Sequence, residues 1–211
     1  MQVIAINGSP HREGNTFHAL SMVGEELAIA GIEFKILHVG HQMIHGCLAC
    51  GKCAEKRDEK CSITTDELNT WIQQIKEADG LLLGSPVYYS GIAGTMKSFL
   101  DRLFYVSGSN GGLFRHKIAA AVVAVRRSGG SATFDSLNHY LTYAEMILAT
   151  SSYWNIIHGR NAGEVMQDGE GMQIMHVLGK NMAWLLKMKA ASAGVVEPPA
   201  AERKVVTNFI R

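Results

Sequence analysis

Asn7-Gly8-Ser9-Pro10-His11-Arg12-Glu13-Gly14-Asn15-Thr16 lies between an apolar run, Val3-Ile4-Ala5-Ile6, and a segment with helical periodicity. A strand that ends in a turn of small and polar residues and then opens a helix aims backbone N–H groups and the positive end of the helix dipole at one spot. Such a spot suits a phosphate. Spacing excludes two familiar phosphate loops: there is no G-x-x-x-x-G-K-[ST], and no G-x-G-x-x-G follows the first strand. A single phosphate fits better, with side-chain hydrogen bonds from Ser9, Asn15 and Thr16 and a charge-assisted one from Arg12. Taken alone, the stretch reads equally well as an ordinary strand-to-helix turn with an Asn or Thr cap.

Downstream, Phe17, Leu20, Val23 and Leu27 recur at helical spacing until Gly31, and residues 33–39 read as a second strand. Strand, crossover helix and strand make a βαβ unit of right-handed sense. Thr64 with Glu67 three residues later has the form of a capping box, followed by Leu68, Trp71, Ile72 and Ile75 on one helix face. Asp79-Gly80-Leu81-Leu82-Leu83-Gly84 is a strand buried on both faces that runs into the loop Ser85-Pro86-Val87-Tyr88-Tyr89-Ser90-Gly91. Met96, Phe99, Leu100, Leu103 and Phe104 mark the next helix. A strand over residues 118–125 leads to Arg126-Arg127-Ser128-Gly129-Gly130 and a helix carrying Phe134, Leu137 and Leu141. A short fifth strand near residues 153–157 precedes a Gly-rich loop and a last helix with Met175, Leu178, Met182 and Leu185. Five strands alternating with helices predict an α/β, doubly wound parallel sheet covered on both faces. Ligands of such sheets bind in the crevice beyond the strands' carboxyl ends, where the strand order reverses.

The 211 residues, 47% of them apolar, suit one domain over residues 1–211. A net charge of +1 with dispersed Lys and Arg leaves no footprint for nucleic acid or an anionic membrane. The longest apolar run is too short to span a bilayer, and no basic-then-apolar segment precedes the first strand. The expected setting is cytoplasmic. In the tail, residues 190–211, Pro198-Pro199 precede the apolar Val205-Val206-Thr207-Asn208-Phe209-Ile210, which is expected to pack on something, a second subunit included.

All four cysteines fall in residues 40–62, where apolar periodicity stops; loops this long usually have a function. Cys47-x-x-Cys50-x-x-Cys53 can wrap one inorganic cluster, and Cys61 can complete a set of four. Bacterial ferredoxins share the first spacings but close with a shorter gap and a Pro. Zinc sites usually take two C-x-x-C pairs set well apart, so the compact triple favours iron-sulfur, with zinc and an empty cysteine motif as alternatives. His38, His41 and His45 read as surface residues.

Four segments together resemble the NADPH-dependent FMN reductases of flavodoxin-like fold and, within them, the iron-sulfur flavoproteins. They are Gly8-Ser9-Pro10-His11-Arg12 with Asn15-Thr16, then Gly46-Cys47-Leu48-Ala49-Cys50-Gly51-Lys52-Cys53, then residues 78–88, and Lys97 with Asp101-Arg102. The resemblance implies FMN, with its phosphate on Ser9, Pro10, Arg12, Asn15 and Thr16. It places the ring against Pro86, Val87, Tyr88 and Tyr89, with Arg127, Ser128, Gly129 and Gly130 closing the other side. It implies NAD(P)H as electron donor, a small-molecule or redox-protein acceptor, a 4Fe-4S cluster on Cys47, Cys50, Cys53 and Cys61, and a homodimer or homotetramer. Tyr88 and Tyr89 can stack on a flat ring, and Arg126 and Arg127 can meet the flavin or an incoming nicotinamide nucleotide. Core packing is the plainer reading of Trp154. The hard chemistry would belong to the cofactor, so no proton-transferring triad is expected. The rival readings are a non-enzymatic flavodoxin-type carrier, which would need a charged docking face, and a reductase whose cysteine motif is vestigial or binds zinc.

Overall fold

The computed structural model of the chain describes residues 1–202 and 204–209. Strand β1 (Gln2–Asn7) pairs in parallel with β2 (Glu33–His38) on one side and with β3 (Gly80–Tyr88) on the other. β5 (Ile118–Val125) lies beside β3, and β6 (Ile147–Leu148) beside β5, giving the order β2-β1-β3-β5-β6. The strand order therefore reverses between β1 and β3. The loops after these two strands open onto the same crevice.

Val3 and Ala5 of β1 face one cluster of buried residues while Ile4 and Ile6 face the other, and in β3 Leu82 and the pair Leu81 and Leu83 divide in the same way. Period-two alternation with both faces covered turns these strands into continuous apolar runs. One face carries α1 (Asn15–Ile29) and α6 (Gly169–Ser192), packed on each other; the opposite face carries the short α2 (Lys52–Lys56), α3 (Leu68–Glu77), α4 (Gly94–Ser109) and α5 (Gly130–Tyr143). No helix among the described residues is long and apolar enough to cross a membrane.

The elements and the tail depart from the sequence reading at four places. β3 continues through Pro86 to Tyr88 and folds back as a hairpin on the short antiparallel β4 (Gly91–Ile92), where a loop was expected from Ser85. The fifth strand is two pieces, β6 near the start of β5 and β7 (Ile156–His158) near its end, with residues 149–155 between them. The capping box is not made: Glu67 occupies the cap position of α3 without a side-chain bond, and the Leu68 N–H is served by Asp66 Oδ1 at 3.3 Å. The tail is held partway: Arg115 donates to the Pro199 carbonyl at 2.7 Å, and Lys204 lies over the Tyr143 ring at 4.1 Å. Val205, Val206 and Phe209 beyond it are exposed, and Ile210 lies outside the described residues.

Candidate functional site

Fully buried Asn7 at the end of β1 shapes the turn that follows. Its Oδ1 accepts from the Ser9 N–H at 3.0 Å and its Nδ2 donates to the Arg12 carbonyl at 3.2 Å, while Ser9 Oγ accepts from the His11 N–H at 3.1 Å. α1 then starts behind Gly14, whose cap position offers no side-chain acceptor to the first turn. Asn15 Oδ1 and Thr16 Oγ1 are buried and have no hydrogen-bond partner among the described residues. A buried polar atom without a partner costs about 1–3 kcal/mol, so two adjacent ones at a helix N-terminus indicate a ligand that completes them. An amide can turn to present either its oxygen or its nitrogen.

These groups line a cavity of ≈ 460 Å³ together with Pro86, Val87 and Tyr88, Arg126 at the end of β5, and Gly159, Arg160 and Asn161 after β7. A volume of this size suits a small cofactor. Ser9, Asn15, Thr16, Pro86, Val87 and Tyr88 are thus brought together. Pro10 and Arg12 are exposed outside the cavity, and Tyr89 projects into solvent from the hairpin tip. Tyr89 and Ser90 hold φ of 49° and 59°, a left-handed conformation costly for side chains with a Cβ. Gly129, at φ 87°, abuts this turn: a Cβ there would stand 2.8 Å from the Ser90 Cα. Only glycine lets the third loop close on the hairpin.

Arg127, Ser128, Gly129 and Gly130 face away from this first cavity, into a second one of ≈ 370 Å³ beside β7. Trp154 stands on its rim at 54% exposure, so the core packing expected of it is not observed. His11, Arg160 and Asn161 were missed by the sequence reading. The only local signal for Arg160 and Asn161 was the Gly-rich stretch after the last strand.

The cysteine loop begins against the phosphate turn. Val39 and Gly40 both donate to the Asn7 carbonyl, and a Cβ on Gly40 would stand 2.1 Å from the Ser9 carbonyl oxygen. A His38 ring nitrogen lies 2.7 Å from that same carbonyl, and the His38 ring stacks on His41 at 4.1 Å. Burial pushes the His38 pKa down, outweighing the hydrogen bond to Ser9 that favours its charged form.

Cys47, Cys50, Cys53 and Cys61 all line one small cavity, and Arg102 of α4 closes its inner wall. Cys47 and Cys50 are exposed, Cys53 is buried and Cys61 half-buried. The Arg102 side chain is fully buried. Its Nε donates to Cys61 Sγ at 3.3 Å, Nη1 to the His45 carbonyl and to Asp66, and Nη2 to the Ile63 carbonyl and to Asp66 Oδ1 at 3.1 Å. Burial opposes the charge, but Asp66 and Cys61 outweigh it and hold the guanidinium protonated. Among the described residues no three His, Cys, Asp or Glu side chains converge on a single-ion site. Lys97 and Asp101, also part of the resemblance, pair with each other at 2.7 Å on α4 outside the first cavity. Burial and the Asp101 carboxylate push the neighbouring Tyr140 hydroxyl up to about 12.

A doubly wound parallel sheet with a cavity beyond the strands' carboxyl ends at its reversal point defines a protein of flavodoxin-like fold. The chain belongs to the NADPH-dependent FMN reductase family, whose model matches residues 1–161. An iron-sulfur flavoprotein of Methanocaldococcus jannaschii is 32% identical over 203 residues, covering 89% of this chain and 98% of that protein. One of Methanosarcina thermophila is 25% identical over 191 residues, covering 89% and 96%. Among solved structures, RosB with a bound formylriboflavin phosphate intermediate aligns over 100% of this chain and 94% of its own, with a TM-score of 0.69 at 16% identity. An archaeal flavodoxin aligns over 89% and 99%, with a TM-score of 0.59 at 16% identity. The fold is therefore flavodoxin-like, and the family is one of FMN-dependent oxidoreductases. The residues present fit FMN, because buried Thr16 Oγ1 can donate to a phosphate monoester and Asn15 can do so once its amide turns to present Nδ2. They also fit an iron-sulfur cluster in donor chemistry, with four soft thiols around one cavity.

Proposed function

We propose that this protein is an NAD(P)H-dependent oxidoreductase that carries FMN in the first cavity and passes electrons to a small-molecule or redox-protein acceptor. The observation that carries this reading is the pair of buried, unpartnered polar atoms on Asn15 and Thr16 at the head of that cavity. Held there, FMN would supply hydride acceptance and one-electron release, chemistry that the protein's own side chains lack. Thr16, Asn15 and Ser9 would hold its phosphate, with the uncapped first turn of α1 adding N–H groups. Pro86, Val87 and Tyr88 form an apolar wall against which a flat ring can lie. The side chains of Arg126 and Arg127 have no ion pair or hydrogen bond among the described residues, so both are free to meet an anionic donor.

The same reading assigns Cys47, Cys50, Cys53 and Cys61 to a 4Fe-4S cluster that would take single electrons onward, a role supported by the relatives named iron-sulfur flavoproteins. It gives a cytoplasmic homodimer or homotetramer, for which the exposed Val205, Val206 and Phe209 are the candidate contact. The deciding experiment is anaerobic mixing of FMN-loaded protein with NADH or NADPH while flavin absorbance is followed. Bleaching within ordinary mixing is expected. A flavin reducible only by dithionite would make the protein an electron carrier of the flavodoxin kind.

A further inference from the structure

The second cavity has a construction that the flavin reading does not use. Its floor is apolar, from Val125, Ile156 and Ile174, and one wall is the ring pair Tyr153 and Trp154, with centroids 4.6 Å apart and planes inclined at 60°. Both rings are more than half exposed, an expensive arrangement for two large apolar surfaces. The turn that presents them is braced from inside. Asn155, 3% exposed, donates to the Ala121 carbonyl at 3.0 Å, its own carbonyl accepts from the Val123 N–H, and its Oδ1 accepts from the Ser151 hydroxyl at 2.6 Å. Arg127 also lines the cavity, and its guanidinium has no ion pair or hydrogen bond among the described residues. Asp168 and Glu170 line it too; the Asp168 carboxylate accepts from the Gly171 and His158 N–H groups, so a phosphate is directed to Arg127.

An aromatic pair on a braced turn, apolar side chains and an arginine lining one cavity of ≈ 370 Å³ match a planar heteroaromatic ring that carries a phosphate. We propose that this cavity is a second nucleotide site, separated from the FMN cavity by the third loop, with the ring on Tyr153 and Trp154 and a phosphate on Arg127. Resting on the donor chemistry proposed above, its occupant is the adenylate half of NAD(P)H. A free FMN taken up as substrate has the same chemistry and is the other source.

The test uses protein already saturated with FMN. 5′-AMP is titrated by calorimetry, and free FMN is offered separately in equilibrium dialysis. The expected result is one equivalent of AMP bound without release of resident FMN, with affinity reduced roughly tenfold or more in Trp154→Ala, as stacking losses usually are, and largely restored in Trp154→Phe. The KM for NAD(P)H should rise by a similar factor in Trp154→Ala, while FMN content and dithionite reduction stay as in the parent. Uptake of a second FMN equivalent that depends on Trp154, with no AMP binding, would support the site and name free flavin as its occupant. Release of resident FMN by AMP, or binding of neither probe, or binding indifferent to Trp154, would overturn the proposal. AMP binding that depends on Trp154 in a protein whose flavin NAD(P)H cannot reduce would keep the site and discard the donor reading. Rapid reduction with an unchanged KM in Trp154→Ala, together with no Trp154-dependent binding of either probe, would do the reverse.

Discussion

The Nε of Arg102 donates to the Sγ of Cys61 at 3.3 Å, from a side chain with no solvent exposure. Every other donor of that guanidinium goes to residues 45–66, so one arginine on α4 ties the cysteine loop to the core. A loop with so little apolar content would otherwise face the full entropy cost of ordering. Arg102→Gln should therefore cost about 3–5 kcal/mol, because it leaves the Asp66 carboxylate buried without its partner. Urea titration should show this, and adding Asp66→Asn should recover a large part. Proteolysis within residues 40–62 should be slow in metal-free parent protein and fast in the variant.

The parts of this molecule that local pattern controls were legible in the sequence. The apolar runs of β1, β3 and β5 are continuous because both faces are buried, and the turn at residues 8–14 announces itself by its small and polar residues. What was not legible depended on partners far along the chain. Asp66 stands where the capping pattern assigns the work to Thr64 and Glu67, but a buried arginine from α4 claims it. Trp154 has the composition of a core residue, yet buried Asn155 anchors the turn and leaves the ring outside. The third loop reads as one wall of a flavin site; in the fold Gly129 presses against Ser90, Arg126 lines the first cavity and Arg127 the second, a division that depends on a hairpin from another strand.

Removing the two unpartnered side chains at the phosphate turn should weaken FMN binding without unfolding the protein. Charge-assisted hydrogen bonds are worth about 1.5–3 kcal/mol each, or roughly one to two powers of ten in affinity. Asn15→Ala and Thr16→Ala should each show a loss of that order in fluorescence titration of the apoprotein with FMN. Riboflavin, which lacks the phosphate, should bind parent and variants alike. Unchanged FMN affinity in the double variant would place the phosphate elsewhere.

His38 makes the join between the phosphate turn and the cysteine loop acid-sensitive. Its pKa in the folded protein is lowered below 6.5, burial being the main cause, so the unfolded chain takes up the proton first as pH falls. The contribution of neutral His38 is present in full above about 6.5. It is lost as pH falls from there toward the depressed folded value, below which no further loss comes from this group. Urea midpoints should therefore drop between pH 7 and pH 5.5 in the parent. They should drop less in His38→Gln, whose amide can still donate to the Ser9 carbonyl but does not titrate.

The cysteine cavity separates three chemistries that the spacing of its residues leaves open. Four thiols around one cavity, with a buried guanidinium bonded to one of them, suit an assembly carrying net negative charge. A cluster ligated by four thiolates has that charge, and N–H···S bonds to its sulfurs tune its potential. Zinc would hold four ligands at about 2.3 Å around a single centre and bring no sulfide. Protein prepared without oxygen should contain about four iron and four acid-labile sulfide per chain. Cys47→Ser and Cys50→Ser, both at exposed positions, should lose the iron while keeping the fold and the flavin. One zinc per chain with no sulfide, or iron content indifferent to both substitutions, would end the cluster reading and leave the FMN chemistry to stand without it.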